Sequence, residues 1–328
     1  VCLVIYLFAL VSLFTYGMNC YLLMIFYRLK RPQALKQHAV IKNNFFRNYP
    51  VEDWPRVTIQ LPIFNERYVV ERLIQSVCQF DYPRKLLEIQ ILDDSTDDTA
   101  DIARTAAAQM QDRGFDIQYI HRDNRIGFKA GALKEGLQTA TGDFVGIFDA
   151  DFVPHPDFLK DTIPYFTDPE IGMLQTRWGH INSDYSLLTR AQSMGIDGHF
   201  SVEQASRAWN GFFMNFNGTA GVWRKTTIED AGGWQADTLT EDLDLSYRAQ
   251  LKGWKLQFVT DVVCPAEVPV TINAFKSQQH RWAKGSIQTA KKNLGQLFKS
   301  DVSFLVKVQA FLHLTHYMVH PMMLLVVL

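Results

Sequence analysis

Asp149-Ala150-Asp151 sets two carboxylates two residues apart at the end of the apolar run DFVGIFDAD (143–151). In extended chain such residues point to the same side, so negative charge gathers where a buried strand emerges. Like charges that close call for a cation. Hard oxygen ligands suit Mg²⁺ or Mn²⁺, which complete their shells with water and substrate phosphates. Asp149 and Asp151 are therefore the candidate metal ligands. Asp93 and Asp94 close a neighbouring run, LEIQILDDS (87–95), and Asp123 follows FDIQYIHRD (115–123). Asp is also a common turn and cap residue, and Asp94-Ser95-Thr96 has the form of a helix cap.

Two further groups carry chemistry. Arg125-Ile-Gly-Phe-Lys129-Ala-Gly131 places glycines and a lysine just before a helix, an arrangement that accommodates phosphate. Thr240-Glu241-Asp242 opens the helical stretch DLDLSYRAQLKGW. Acids there favour the helix dipole, and one of them could equally be the base that deprotonates a hydroxyl.

The elements that must hold these residues follow from periodicity. VTIQLPIF (57–64) and the three runs already quoted alternate with helical stretches, one of which puts Val69, Leu73, Ile74 and Val77 on one face. This βαβαβαβ rhythm predicts an α/β domain with a mostly parallel sheet, whose ligands bind beyond the carboxyl ends of the strands.

Composition narrows the class. The chain has 328 residues, with 33 Lys+Arg against 34 Asp+Glu, so no chain-wide field gathers nucleic acid. Cys2, Cys20, Cys78 and Cys264 are scattered without a CxxC pair, which argues against a disulfide framework or zinc site. Residues 1 to 27 carry no charge, which predicts a transmembrane helix over 1–28. The basic stretch beginning Arg28, Lys30, Arg31 reads as a cytoplasmic linker over 29–54 by the positive-inside rule. Ile287, Ala290, Leu294 and Leu297 predict an amphipathic helix over 281–300, at a membrane interface or a solvated domain edge. Residues 301–328 read as the start of a second membrane region, and the chain as a fragment of a longer membrane protein. His313, His316 and His320 read as interfacial or cavity-lining groups rather than metal ligands. Trp209, Trp223, Trp234 and Trp254 read as core or groove wall.

Taken in order, Asp94, Asp149-Ala-Asp151, Thr240-Glu241-Asp242 and Gln278-Gln-His-Arg281-Trp282 resemble the processive family 2 glycosyltransferases, whose signature is Q-x-x-R-W. Blocks such as ILDDSTDDT, RIGFKAGALKEGL, FNGTAGVWR and EDLDLSYRAQLKGWK look like the cellulose-synthase-like mannan and glucomannan synthases of plants, and like bacterial cellulose-synthase-type enzymes. The resemblance covers about residues 55 to 295; AKGSIQTAKK, after the signature, departs from the plant mannan synthases. It implies a GT-A type nucleotide-sugar-binding domain over 55–280. It also implies that Asp94 contacts the nucleotide and Lys129 the diphosphate, while Asp149 and Asp151 handle donor sugar and metal. Asp242 would be the base, with Glu241 beside it. Gln278 and Arg281 would bind the donor and Trp282 the acceptor, with Asn217, Gly218 and Thr219 along the polymer terminus.

The implied activity is inverting, processive transfer of a hexose from UDP-glucose or GDP-mannose to a growing β-glycan, with Mg²⁺ or Mn²⁺ and without nucleic acid. The implied setting is the lipid bilayer with a cytoplasmic catalytic domain, in a bacterial inner membrane or a Golgi membrane. A single transfer to a lipid acceptor and a non-catalytic carbohydrate-binding scaffold are the competing readings.

Overall fold

A computed structural model describes residues 2–327; Val1 and Leu328, the outer ends of the two expected membrane segments, lie outside the described residues. β-branched and aromatic runs bounded by turn residues give seven strands: β1 (Val57–Ile63), β2 (Leu87–Asp93), β3 (Asp116–His121), β4 (Phe144–Ile147), β5 (Ile171–His180), β6 (Gly221–Arg224) and β7 (Lys255–Ala266). They form one sheet in the order β3-β2-β1-β4-β6-β5-β7. The first four strands are mutually parallel, as is β5 with β7, while β6 runs antiparallel to both β4 and β5. The βαβ reading thus accounts for four of the seven strands. The helical 187–209 segment connects β5 to β6, and β6 enters the sheet between β4 and β5 in the opposite direction to both.

Helices cover both faces. On one side α2 (Val70–Val77) and α3 (Thr99–Asp112) bury Val70, Leu73, Ile74, Val77 and a run of alanines against the strands. On the other, α4 (Phe128–Thr139) packs Leu133 and Leu137 with Trp223, Trp234 and Phe258. Short α5 (Phe158–Thr162) follows β4. α6 (Leu187–Gly198), a π-helical segment (His199–Gln204) and α7 (Ala205–Trp209) then lead to β6, α8 (Lys225–Asp230) and α9 (Glu241–Leu251).

The flanking helices differ from expectation in two places. The basic stretch is not a linker, because α1 runs unbroken over Cys2–Asn48, through Pro32. At about 1.5 Å per residue it is roughly 70 Å long. Its second half is held by the domain: Ala34, His38 and Phe45 are buried, Lys42 pairs with Asp161, and His38 Nδ1 lies 3.6 Å from Asp261. Helix α10 spans Ile272–Lys299, beginning nine residues before the expected boundary at 281, with Thr271 accepting the Ala274 N–H at its N-cap. Beyond it, α11 (Phe304–Leu314) and α12 (Val319–Val327) are joined by a short 3₁₀ turn and bend by 56°. Among the described residues, α1 is the one helix that by itself is long and apolar enough to cross a bilayer.

Candidate active site

Lys129 is the centre of the site. It sits in the first turn of α4, pairs with Asp149 and donates to the Gly218 carbonyl at 2.9 Å. Its burial favours the neutral amine, yet Asp149, Glu241 and Asp242 outweigh that and raise its pKa. One lysine therefore faces carboxylates from two separate elements. The strand β4 ends at Ile147, so Asp149 and Asp151 lie in the following turn rather than on the strand. That turn is fastened by the Phe152–Ala266 bridge to β7 and by the Asp149 N–H, which donates to Thr219 Oγ1 at 2.9 Å.

The charges are not balanced. Burial first, and the Asp149 charge second, push Asp151 up to about 7. Glu66, just after β1, is raised by burial and by Asp149. Burial first, and Glu241 second, push Asp242 up to about 7, while Glu241 is raised by burial against the pull of Lys129 and Arg281. Hard oxygen donors in excess over cations fit a divalent ion. Among the described residues no three His, Cys, Asp or Glu side chains converge, so an ion here would have to complete its shell with water and phosphate.

Two glycines set the distances. Gly218 has φ +85°, and a Cβ there would stand 3.0 Å from Asp242 Oδ2. Gly285 lets α10 close on the start of α9, since a Cβ would fall 2.5 Å from Thr240 Cγ2. Thr240 itself makes no side-chain cap; its hydroxyl lies 3.3 Å from that of Thr289. The two helices are then locked by buried Asp244, which takes Arg248 Nε at 2.8 Å, Asn293 Nδ2 at 2.9 Å and Lys292 Nζ at 3.0 Å. This approach brings Asp242, Gln278 and Trp282 onto the wall of one cavity of about 500 Å³, together with Asn217, Trp178 and His199.

Residues 55–285 match the family described as glycosyltransferase like family 2. The chain belongs to this family. Similar proteins include glucomannan 4-beta-mannosyltransferase 2 of Arabidopsis thaliana, 44% identical over 78% of this chain and 49% of that protein. Glucomannan 4-beta-mannosyltransferase 1 of Oryza sativa subsp. japonica is 44% identical over 75% of this chain and 48% of that protein. The chain spans about half the length of the curated relatives it matches. Among solved structures, the mannosyltransferase PcManGT from Pyrobaculum calidifontis, in complex with GDP-Man and Mn²⁺, superposes with a TM-score of 0.70. It covers 98% of this chain and 84% of its own at 21% identity, which establishes a shared GT-A fold.

Within this family fold the expected residues separate. Lys129, Asp149, Asp151, Glu241 and Asp242 come together, with Arg281 near Glu241. Asn217 and Trp282 line the cavity. Gly218 and Thr219 do not, because both are buried and spend their polar atoms holding Lys129 and Asp149. Asp94 is already paired, its two oxygens gripped by Arg122, which also donates to the Phe128 carbonyl. Burial works against ionisation of Asp93, yet bonds from Ser95, Tyr119 and His121 win and hold its carboxyl low. Asp123 is exposed, away from these contacts. His313 and His316 line the cavity. Trp223 and Trp234 are core. Glu66 went unread in the sequence, although it follows β1 as the other acids follow their strands; Glu203 and Arg207 had no motif to mark them.

Proposed function

We propose that this chain is the catalytic part of a membrane-anchored, inverting β-glycosyltransferase that takes mannose from GDP-mannose and adds it to a β-linked glycan. The observation that carries the reading is the single cavity on which Asp242, Gln278 and Trp282 meet. The 44% identity to proteins named glucomannan 4-beta-mannosyltransferases supports mannose as the sugar and a β-linked polymer, and the GDP-Man complex of PcManGT is what suggests the nucleotide. The apolar first half of α1 supports the anchor.

Asp242, at the first turn of α9, removes the acceptor hydroxyl proton as general base. Its pKa of about 7 suits a base working near neutrality. Trp282 offers a flat apolar face to the acceptor sugar, and attack from the side opposite the nucleotide turns an α-linked donor into a β-linked product. Lys129 and Arg281 face the departing diphosphate, where preorganised positive charge lowers the barrier. Asp149 and Asp151 would hold Mg²⁺ or Mn²⁺, which when bound neutralises the diphosphate charge. Asp242 and Trp282 line one cavity, so a lengthened end that slides on by one sugar while its new terminal ring stacks on Trp282 meets the base again, which is the processive reading.

The test incubates membranes carrying the full-length protein with radiolabelled GDP-mannose or UDP-glucose and Mn²⁺, beside Asp242→Asn, and digests the product with linkage-specific glycanases. Polymer from GDP-mannose, lost in the variant, is expected. A lipid-extractable monoglycoside without polymer would replace this reading with single transfer.

A further inference from the structure

The π-helical turn at His199–Gln204 is an uncommon geometry that concentrates at functional sites. Here its side chains fix the orientation of one amide on the cavity wall. Gln204 Nε2 donates to the Asn215 carbonyl at 2.7 Å and to Asn217 Oδ1 at 2.6 Å, which uses both of its hydrogens. The side of Asn217 facing Gln204 is therefore oxygen, and its nitrogen faces His199, 3.1 Å from Nε2. That Nε2 must accept. A neutral imidazole accepting at Nε2 carries its proton on Nδ1, which lies 3.0 Å from Glu203 Oε2.

Glu203 is anchored in turn. Its Oε1 takes Nε and Nη2 of buried Arg207, each at 3.0 Å. Burial opposes the charge, but Arg207 and His199 outweigh it and hold the carboxyl well below its ordinary range. Arg207 Nη1 donates onward to the Gln309 carbonyl at 3.2 Å, and Gln309 Nε2 donates to buried Asn19 on α1 at 2.7 Å. One chain of bonds thus runs from the N-terminal helix to the cavity. At its end, the second Nδ2 hydrogen of Asn217 has no protein partner among the described residues, and Asn217, His199 and Glu203 all line the cavity with Trp282 and Asp242.

We propose that Glu203, acting through His199, is a positioning residue that holds the Asn217 amide with one N–H free for a hydroxyl oxygen of the acceptor sugar, and that Arg207, Gln309 and Asn19 tie this chain to α1. The proposal rests on the acceptor reading of the cavity and deepens it.

The test uses the full-length protein in detergent, with mannohexaose and cellohexaose as probes and tryptophan fluorescence as readout, since Trp178 and Trp282 line the cavity. Glu203→Gln keeps the shape and removes the charge that fixes His199. Losing one well-placed hydrogen bond weakens hexaose binding roughly tenfold. The acceptor KM rises by the same factor, the GDP-mannose KM does not move, and ¹⁵N spectra show His199 leaving its Nδ1–H tautomer. Asn19→Ala, remote from the cavity, moves binding in the same direction by a smaller factor and keeps the test decisive if Glu203→Gln fails to fold. Unchanged hexaose binding in either folded variant overturns the proposal, as does a wild-type His199 protonated on Nε2. Wild-type protein that binds neither hexaose overturns the acceptor reading itself. An Asp242→Asn variant that binds hexaose normally but does not turn over upholds that reading, so the two failures are told apart.

Discussion

Asp94 and Asp242 both stand at the ends of regular elements, and the protein treats them in opposite ways. Asp94 has a guanidinium on both oxygens, and through Arg122 it braces the turn that leads into α4. Asp242 shares one lysine with Asp149 and Glu241 and is pushed up to about 7. The paired acid holds backbone in place; the under-compensated acid is left ready to take a proton or face a cation. The same contrast separates Asp244, buried and triply bonded, from Asp242 two residues earlier on the same helix.

The largest expected effect breaks the unpaired side. Asp242→Asn should lower transfer by about 10²–10⁴-fold, the usual contribution of a general base, with the melting temperature held or raised. An equal loss of turnover in Asp94→Asn at unchanged donor KM would erase the distinction. On the paired side, Asp244→Ala should cost about 3–5 kcal/mol in urea denaturation, because it takes from Arg248 its carboxylate partner and from Asn293 and Lys292 the bonds that tie α10 to α9. A cost below about 1 kcal/mol, the range of exposed pairs, would show that the network is not structural.

The pH dependence sharpens the comparison. Asp242 is raised from 3.8 to about 7, so the folded state keeps a proton that the unfolded chain gives up. Its contribution to stability is full below about pH 4 and is lost as pH rises towards 7. Activity runs the other way, since the base must be ionised: kcat/KM should climb about tenfold per pH unit and level off near 7. Asp242→Asn should flatten its part of the stability slope. A rate independent of pH between 5 and 8 would remove Asp242 as the base. The smallest effect is expected at the exposed Lys255–Glu170 pair, 55% and 63% exposed, where Lys255→Ala should cost under about 1 kcal/mol by thermal melting.

Much of this arrangement was legible in the sequence. Short apolar runs with turn residues at their ends marked β1 to β4, because strand periodicity is a local property. Lys129, Asp149, Asp242, Gln278 and Trp282 stood out by type and motif. What escaped was whatever depended on a partner. The basic stretch after residue 28 reads as a linker until Phe45 is seen buried beside Trp54 and Lys42 paired with Asp161. Helix α10 reads as burying Ile287, Ala290, Leu294 and Leu297. Ala290 and Leu297 are buried with Leu243 and Tyr247 of α9 and Leu294 packs beside them, but Ile287 is exposed and Gly285, Ser286, Thr289 and Asn293 complete the buried face. Small and polar residues carry no hydrophobic period, so their share of the contact with α9 was silent.

By itself the sequence determined the first four strands, the helices between them and the order of the chemical residues, since each follows from local periodicity, turn chemistry and residue type. Only the tertiary structure decided which carboxylates are neutralised. Arg122 reaches Asp94 across 28 positions, Lys129 reaches Asp149 across 20, and Asn19 meets Gln309 across 290. Charge balance is a property of distance in space, and a carboxylate's role here depends on which cation the fold brings within a few ångströms.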